Sequence, residues 1–189
     1  MKEQRVRWRR RCGGIDPARF VFIDESGAKT NMTRLYGRAP IGQRVVEHAP
    51  HGHWHTTTMI SAIRLTGIEA PMVIDGAMDS LVFCGYVERA LVPTLHQGDI
   101  VVMDNLSPHK APGVREAIEA AGASLLYLPP YSPDFNPIEA MWSKAKQSLR
   151  SSAARTKNTL IQAIGDALRS VTIEDCQGFF RGCGYTATQ

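Results

Sequence analysis

No stretch of this chain stays apolar for long: the longest, Leu81 to Val87, runs seven residues even counting its glycine, against the roughly 20 that span a bilayer. A membrane-crossing apolar helix is excluded, and no membrane partner is expected. Cysteine is scarce and badly spaced for chemistry. Cys12, Cys84, Cys176 and Cys183 lie 72, 92 and 7 residues apart, so there is neither a Cys-x-x-Cys knuckle nor a disulfide framework. Cys176 and Cys183 would share a helical face, which favours packing over zinc. The charged opening MKEQRVRWRRR runs into Cys-Gly-Gly with no apolar core behind it, so it does not read as a secretory signal and the expected compartment is the cytoplasm.

Acids are missing from two long stretches. Ser26 to Val46 holds Lys29, Arg34, Arg38 and Arg44, and Ala140 to Leu160 holds Lys144, Lys146, Arg150, Arg155 and Lys157, with no Asp or Glu in either. The net charge of +4 is concentrated further in residues 1–11, where six Lys/Arg face one Glu and leave the other 178 residues at −1. Separate basic segments of this kind can line one groove for a polyanion. Arg7, Arg9, Arg10 and Arg11, with Lys144 and Lys146, are the expected DNA contacts, although a run of charge is also the ordinary look of a solvated face.

What is present is a globular composition, 43% hydrophobic and 21% charged over 189 residues, sized for one domain. Phe20 to Glu25 reads as a buried strand, Arg34 to Glu47 as a hairpin around Gly37, Pro40 and Gly42, and Thr56–Leu65 and Ile68–Ile74 as strands about a Gly67 turn. Asp79 caps an amphipathic helix to Leu95. Ile100–Met103 and Ser124–Leu128 are strands around a helix over Pro112–Ala121, and helices follow over Pro137–Ser148, Asn158–Val171 and Glu174–Phe180. Strands first, then alternation with helices, predict an α/β fold: a mixed sheet, a three-strand antiparallel meander plus two parallel strands, flanked by helices. The chain divides into a basic arm (1–17), one folded unit (18–172) and a C-terminal helix and tail (173–189).

Three acids fall where chain direction changes: Asp24 at the end of the first strand, Asp104 just after the fourth, and Glu139 in the first turn of a helix. Open sheets place their chemistry at such strand ends. Carboxylates from three remote segments can hold hard divalent cations, which activate water and stabilise the leaving oxygen of a phosphodiester. They also repel one another, which raises at least one pKa until a cation arrives, so neutralising Asp104 should relieve the strain. Glu25, the neighbour of Asp24, points to the opposite face of the sheet, so only one of the two can join; alternation does not say which. Each acid has a plainer reading too. Asp104-Asn105 suits a turn, and Asn136-Pro137-Ile138-Glu139 suits a capping box with Asn136 as cap. His51, His53 and His55 alternate as on one face of a solvated or DNA-facing strand. Ile138 and Trp142 would wedge their helix against the sheet.

The segments FIDES, VVMDNLSPHKA and LPPYSPDFNPIEAMWSKAK, around Asp24, Asp104 and Glu139, resemble the Tc/mariner transposases, specifically their bacterial insertion-sequence branch. The resemblance covers roughly residues 18–170, and 34 residues separate Asp104 from Glu139, an interval typical of that group. It implies a ribonuclease-H-like fold and an Asp-Asp-Glu (DDE) triad of Asp24, Asp104 and Glu139 binding Mg2+ or Mn2+, and so selects Asp24 over Glu25. Asn105 and His109 stand as supporting residues. It further implies metal-dependent cleavage of transposon-end DNA, transfer of the 3′-hydroxyl end into target DNA at TA dinucleotides, and a homodimer in a synaptic complex. Full-length relatives carry helix-turn-helix segments ahead of this domain; this chain has no room for them, which suggests an upstream helix-turn-helix product joined by frameshifting, or a truncated relic.

Overall fold

The structure is a computed structural model and describes residues 2–46, 48 and 50–186. It opens on helix α1 (Lys2–Cys12) and a short turn, then strands β1 (Phe20–Lys29), β2 (Thr56–Arg64) and β3 (Gly67–Asp75), helix α2 (Ser80–Tyr86), strand β4 (Ile100–Met103), helix α3 (Val114–Ala120), strand β5 (Ser124–Tyr127) and helices α4 (Pro137–Ser152), α5 (Lys157–Arg169) and α6 (Ile173–Gly182). The sheet order is β3-β2-β1-β4-β5. β1 pairs antiparallel with β2, as does β2 with β3, while β1–β4 and β4–β5 are parallel. This is the mixed sheet expected, three antiparallel strands and two parallel ones.

Alternation along β1 divides the core. Phe20 and Phe22 pack on the side of α4, α5 and α6, with Ile138, Trp142 and Phe180; Val21 and Ile23 pack on the side of α2 and α3, with Phe83, Tyr86 and Ile118. A sheet buried on both faces explains why β4 is wholly apolar, IVVM, and not alternating. Ile138 and Trp142 are buried and do wedge α4 against the sheet.

Four local expectations are corrected. β1 does not stop at Glu25: β2 pairs with it as far as Lys29↔Thr56, so it keeps a partner after β4 has diverged. The hairpin over 34–47 does not form. Residues 34–46 lack strand structure, because Pro40 cannot donate to a ladder and no neighbouring strand offers itself; Leu35, Tyr36, Ile41 and Val46 are exposed. Glu47, its expected end, lies outside the described residues, as do 187–189 of the expected tail. His51, His53 and His55 lie on exposed coil, not on a strand. The helix beginning at Asp79 also loses its regular ladder, passing into a wide turn at Val87–Leu91 and a tight one at Val92–Thr94, where Pro93 has no amide to give.

Helix α1, which carries the basic residues of the arm, is docked. α1 buries Trp8 and Cys12 in the same cluster as α4 and α6. The Trp8 indole donates to the Tyr185 hydroxyl at 3.0 Å, and that hydroxyl donates to the Phe135 carbonyl at 2.7 Å. Arg5 forks onto Asp134 at 2.8 and 2.6 Å, and stacks over the Phe135 ring at 4.4 Å.

Candidate active site

Parallel pairing between β1 and β4 ends at Phe22↔Val102. Carrying that register two residues further sets Asp24 opposite Asp104, one on each diverging strand. The loop after β5, through Pro129 and Pro130 to a tight turn at Pro133–Phe135, delivers Asn136 and the start of α4 to the same place. Asp24, Asp104, Asn105, Asn136 and Glu139 thus line one cavity of about 450 Å³, floored by Leu128 and Pro129. Sequence reading named four of these five residues as site residues and took Asn136 for a helix cap.

Asn136 stands at the cap position, but its side chain makes no capping bond. Instead its amide donates to Asp24 Oδ2 at 3.2 Å, and its own Oδ1 is buried without a partner. The capping box expected at Glu139 is therefore absent. Pro137 at the first helical position already dispenses with one orphan amide, and the Glu139 amide bonds the Asn136 carbonyl at 3.1 Å. The Glu139 carboxylate is left for the cavity. The turn reading of Asp104 does hold, since Oδ1 accepts from the Leu106 amide at 2.9 Å. Asn105 ties the exit of β4 to the Leu128 carbonyl.

The electrostatics are uneven. Burial, then the charges of Glu139, Glu25 and Asp104, push Asp24 up to about 8, with the hydrogen bond from the Glu25 amide opposing them. Asp104 is also pushed up by burial, but His109, the Leu106 amide and Lys110 outweigh this and hold it below the ordinary carboxylate range. The expected mutual repulsion is present, and it is concentrated on Asp24. His109 is fully buried, with Nε2 3.0 Å from Glu25 Oε2 and Nδ1 in ion-pair contact with Asp104 Oδ1 at 2.6 Å, off the hydrogen-bonding direction of the ring. Burial opposes its charge, yet the two carboxylates raise the imidazole to about 9.

The basic residues are distributed differently from one another. Arg7 and Arg11 line a shallow hollow of about 360 Å³ that shares Asn105, Leu128, Pro129 and Pro130 with the carboxylate cavity. Arg9 lies over Phe135 at 5.2 Å and Arg10 is exposed. Lys144 is engaged by Asp175 of α6, and Lys146 is half-buried on α4. A second cavity, of about 470 Å³ beneath α1, is walled by Trp8, Cys12, Phe135 and Cys183. Burial raises both thiols there to about 11, so they are not nucleophiles near neutrality.

The sequence profile described as "DDE superfamily endonuclease" matches residues 19–161. The chain belongs to the DDE superfamily of endonucleases. Two transposases of Caenorhabditis briggsae are similar to it. The Tcb2 transposase is 27% identical over 183 residues, 88% of this chain and 66% of that protein; the Tcb1 transposase is 27% identical over 188 residues, 90% and 67%. The catalytic domain of Mos1 mariner transposase superposes with a TM-score of 0.66 at 14% identity, over 97% of this chain and 84% of that one. A Mos1 paired-end complex with Mn gives 0.73 at 16%, over 97% and 56%. At such identity the likeness is one of fold, and the fold of this DDE domain is ribonuclease-H-like. The chain spans about two thirds of the curated relatives and just over half of the longer Mos1 chains.

The donors present in the DDE domain suit a hard divalent cation in kind: three carboxylates, one held protonated by burial and like charge, and the orphaned amide oxygen of Asn136. Among the described residues no three His, Cys, Asp or Glu side chains are drawn together closely enough to hold a metal as they stand.

Proposed function

We propose that this chain is the catalytic domain of a DDE transposase of the bacterial insertion-sequence branch, cutting transposon-end DNA and transferring the 3′-hydroxyl end into target DNA. The observation that carries it is the cavity where Asp24, Asp104 and Glu139 meet from three remote segments. In this reading those three acids hold Mg2+ or Mn2+. The bound cation supplies a lowered water pKa and charge stabilisation for the leaving oxygen. Asp24, neutral when buried alone, gives up its proton on binding; Asn136 holds its Oδ2; Asn105 fixes the loop carrying Asp104. Arg7 and Arg11, walling the adjoining hollow, set the DNA backbone beside the acids, with Arg9, Arg10, Lys144 and Lys146 as outer phosphate contacts. Residues 18–172 form the catalytic unit, flanked in the sequence by 1–17 and 173–189 and braced through Trp8 and Tyr185.

Partners in this proposal are double-stranded DNA, a second copy in a synaptic complex, and an upstream helix-turn-helix product that recognises the transposon ends, all acting on bacterial nucleoid DNA in the cytoplasm. The test is nicking of end-containing supercoiled plasmid in Mn2+, with a helix-turn-helix segment supplied, followed by joining of the freed 3′-hydroxyl to a second duplex. Glu139→Gln keeps the helix and should melt like the wild type while losing cleavage by orders of magnitude. A fully active Glu139→Gln protein removes Glu139 from the triad, and cleavage without joining would favour a ribonuclease-H-like nuclease over a transposase.

A further inference from the structure

Glu25 has no place in the carboxylate cavity, and alternation along β1 explains why. Asp24 continues the face of Phe20 and Phe22 toward α4, whereas Glu25 continues the face of Val21 and Ile23 toward α2. Sequence reasoning stops there, with one acid in and one out. His109 removes that separation. It lies on the single turn Pro108–Lys110, just past the end of β4, where the edge of the parallel pairing lets a side chain reach both faces. One ring nitrogen meets Glu25 Oε2 at 3.0 Å and the other meets Asp104 Oδ1 at 2.6 Å.

The ring has little freedom to move. It is fully buried and packs on Phe83, centroids 4.4 Å apart, and its own carbonyl accepts from the Tyr127 hydroxyl at 3.0 Å. A buried imidazole needs only one acid to balance it. The second, brought from the opposite face of the sheet, fixes the ring plane as well. On the far side, Asp104 Oδ1 accepts from the Leu106 amide and lies in ion-pair contact with the imidazole at 2.6 Å, and among the described residues Oδ2 is the oxygen without a hydrogen-bond partner. One carboxylate oxygen anchored and the other spare is the arrangement that second partners impose on metal-binding side chains.

We infer that Glu25 and His109 form a positioning pair: Glu25 sets the imidazole, and the imidazole anchors Asp104 so that Oδ2 is the oxygen offered to a divalent cation. This rests on the reading of Asp104 as a metal-binding carboxylate. In this proposal both residues act through Asp104. Glu25 is thus a functional residue of the opposite face, acting through the strand end and not through the cavity.

The test is the affinity for Mn2+ alone, by titration calorimetry without DNA, with each variant's fold checked by its melt. Partners of this kind are worth roughly 10–100-fold in metal affinity, so His109→Phe, which fills the space beside Phe83 without a donor, and Glu25→Ala should each bind Mn2+ about 10-fold or more weakly. Glu25→Gln still accepts from the ring and should stay near the wild type. Where a truncation unfolds, His109→Asn and His109→Gln decide: the Asn amide takes the place of Nδ1 and should bind Mn2+ several-fold more tightly than Gln, whose amide takes the place of Nε2. Equal affinities for those two, or a folded His109→Phe with wild-type affinity, would overturn the positioning pair while leaving Asp104 in the site. A wild type that does not bind Mn2+, or an Asp104→Asn variant that binds it normally, would overturn the underlying reading instead.

Discussion

Asp24 is the residue at which this site stores its electrostatic cost. Its carboxyl group titrates near 8 in the folded chain against 3.8 as an ordinary group. A raised acid favours the fold while protonated, so that contribution is complete below about pH 4 and is lost progressively as pH climbs through 8. Asp24→Asn removes the loss, and Asn136 can turn its amide to accept from the new side chain. Without metal, the variant should melt above the wild type at pH 8, by several degrees at roughly 2–4 °C per kcal/mol, and the gap should close toward pH 4; saturating Mg2+ should raise only the wild type. A gap independent of pH would show that Asp24 is not the strained group. Asp104→Asn is expected to do the reverse of what convergence alone implied. His109 and Leu106 hold the Asp104 charge, so neutralising it removes a partner and lowers stability. The three acids were legible in the sequence because each sits beside an apolar run whose pattern is plain, although Asp24 proves to lie within β1 and not at its end. Asn136 and Glu25 were not. Capping rules gave Asn136 a sufficient local use, and strand alternation placed Glu25 correctly on the opposite face but could not show what it meets there; both contacts depend on partners 112 and 84 residues away.

Among the elements, α1 departs furthest from its sequence pattern. Six cations and one acid in eleven residues suggest a solvated run, and only the partners that Trp8 and Arg5 find in the Ser132–Phe135 loop and at Tyr185 show a built-in helix. Trp8→Ala should cost roughly 3–5 kcal/mol, as buried aromatic truncations do, whereas Trp8→Phe loses the hydrogen bond to Tyr185 for about 1 kcal/mol. Urea unfolding measures both, and a cost for Trp8→Ala within a few tenths of a kcal/mol would mean α1 is not docked. Removing residues 1–11 therefore tests folding together with DNA contact. The central strands and α4–α6 were readable because apolar spacing alone specifies them. The segment 34–46 was misread for the converse reason: its Val and Ile are strand formers, but strand formation is decided by the neighbour that pairs, and none does.

At the scale of the whole molecule, the basic helix and the acidic cavity are adjacent, sharing Asn105 and the Leu128–Pro130 wall. Duplex binding should accordingly be weak, indifferent to sequence and steep in salt. Arg7→Gln with Arg11→Gln should lower the slope of log affinity against log salt by up to about 2, near 0.9 for each phosphate no longer neutralised; fluorescence anisotropy at several salt concentrations reads it, and an unchanged slope removes both residues from the interface. The mixed sheet was legible at this scale, since strand order follows from segment order, but the meeting of distant ends was not. That meeting sets a timetable. Trp8 and Tyr185 are 177 residues apart in the chain, so on a ribosome adding roughly 5–20 residues per second α1 waits roughly 9–35 s for its partner. Tyr185 is also what closes on Phe135, just ahead of Asn136 and Glu139. The loop that delivers Asn136 and Glu139 is thus clamped only after Tyr185, made much later than the loop itself, has emerged, and until then the acid cavity has one wall unbraced.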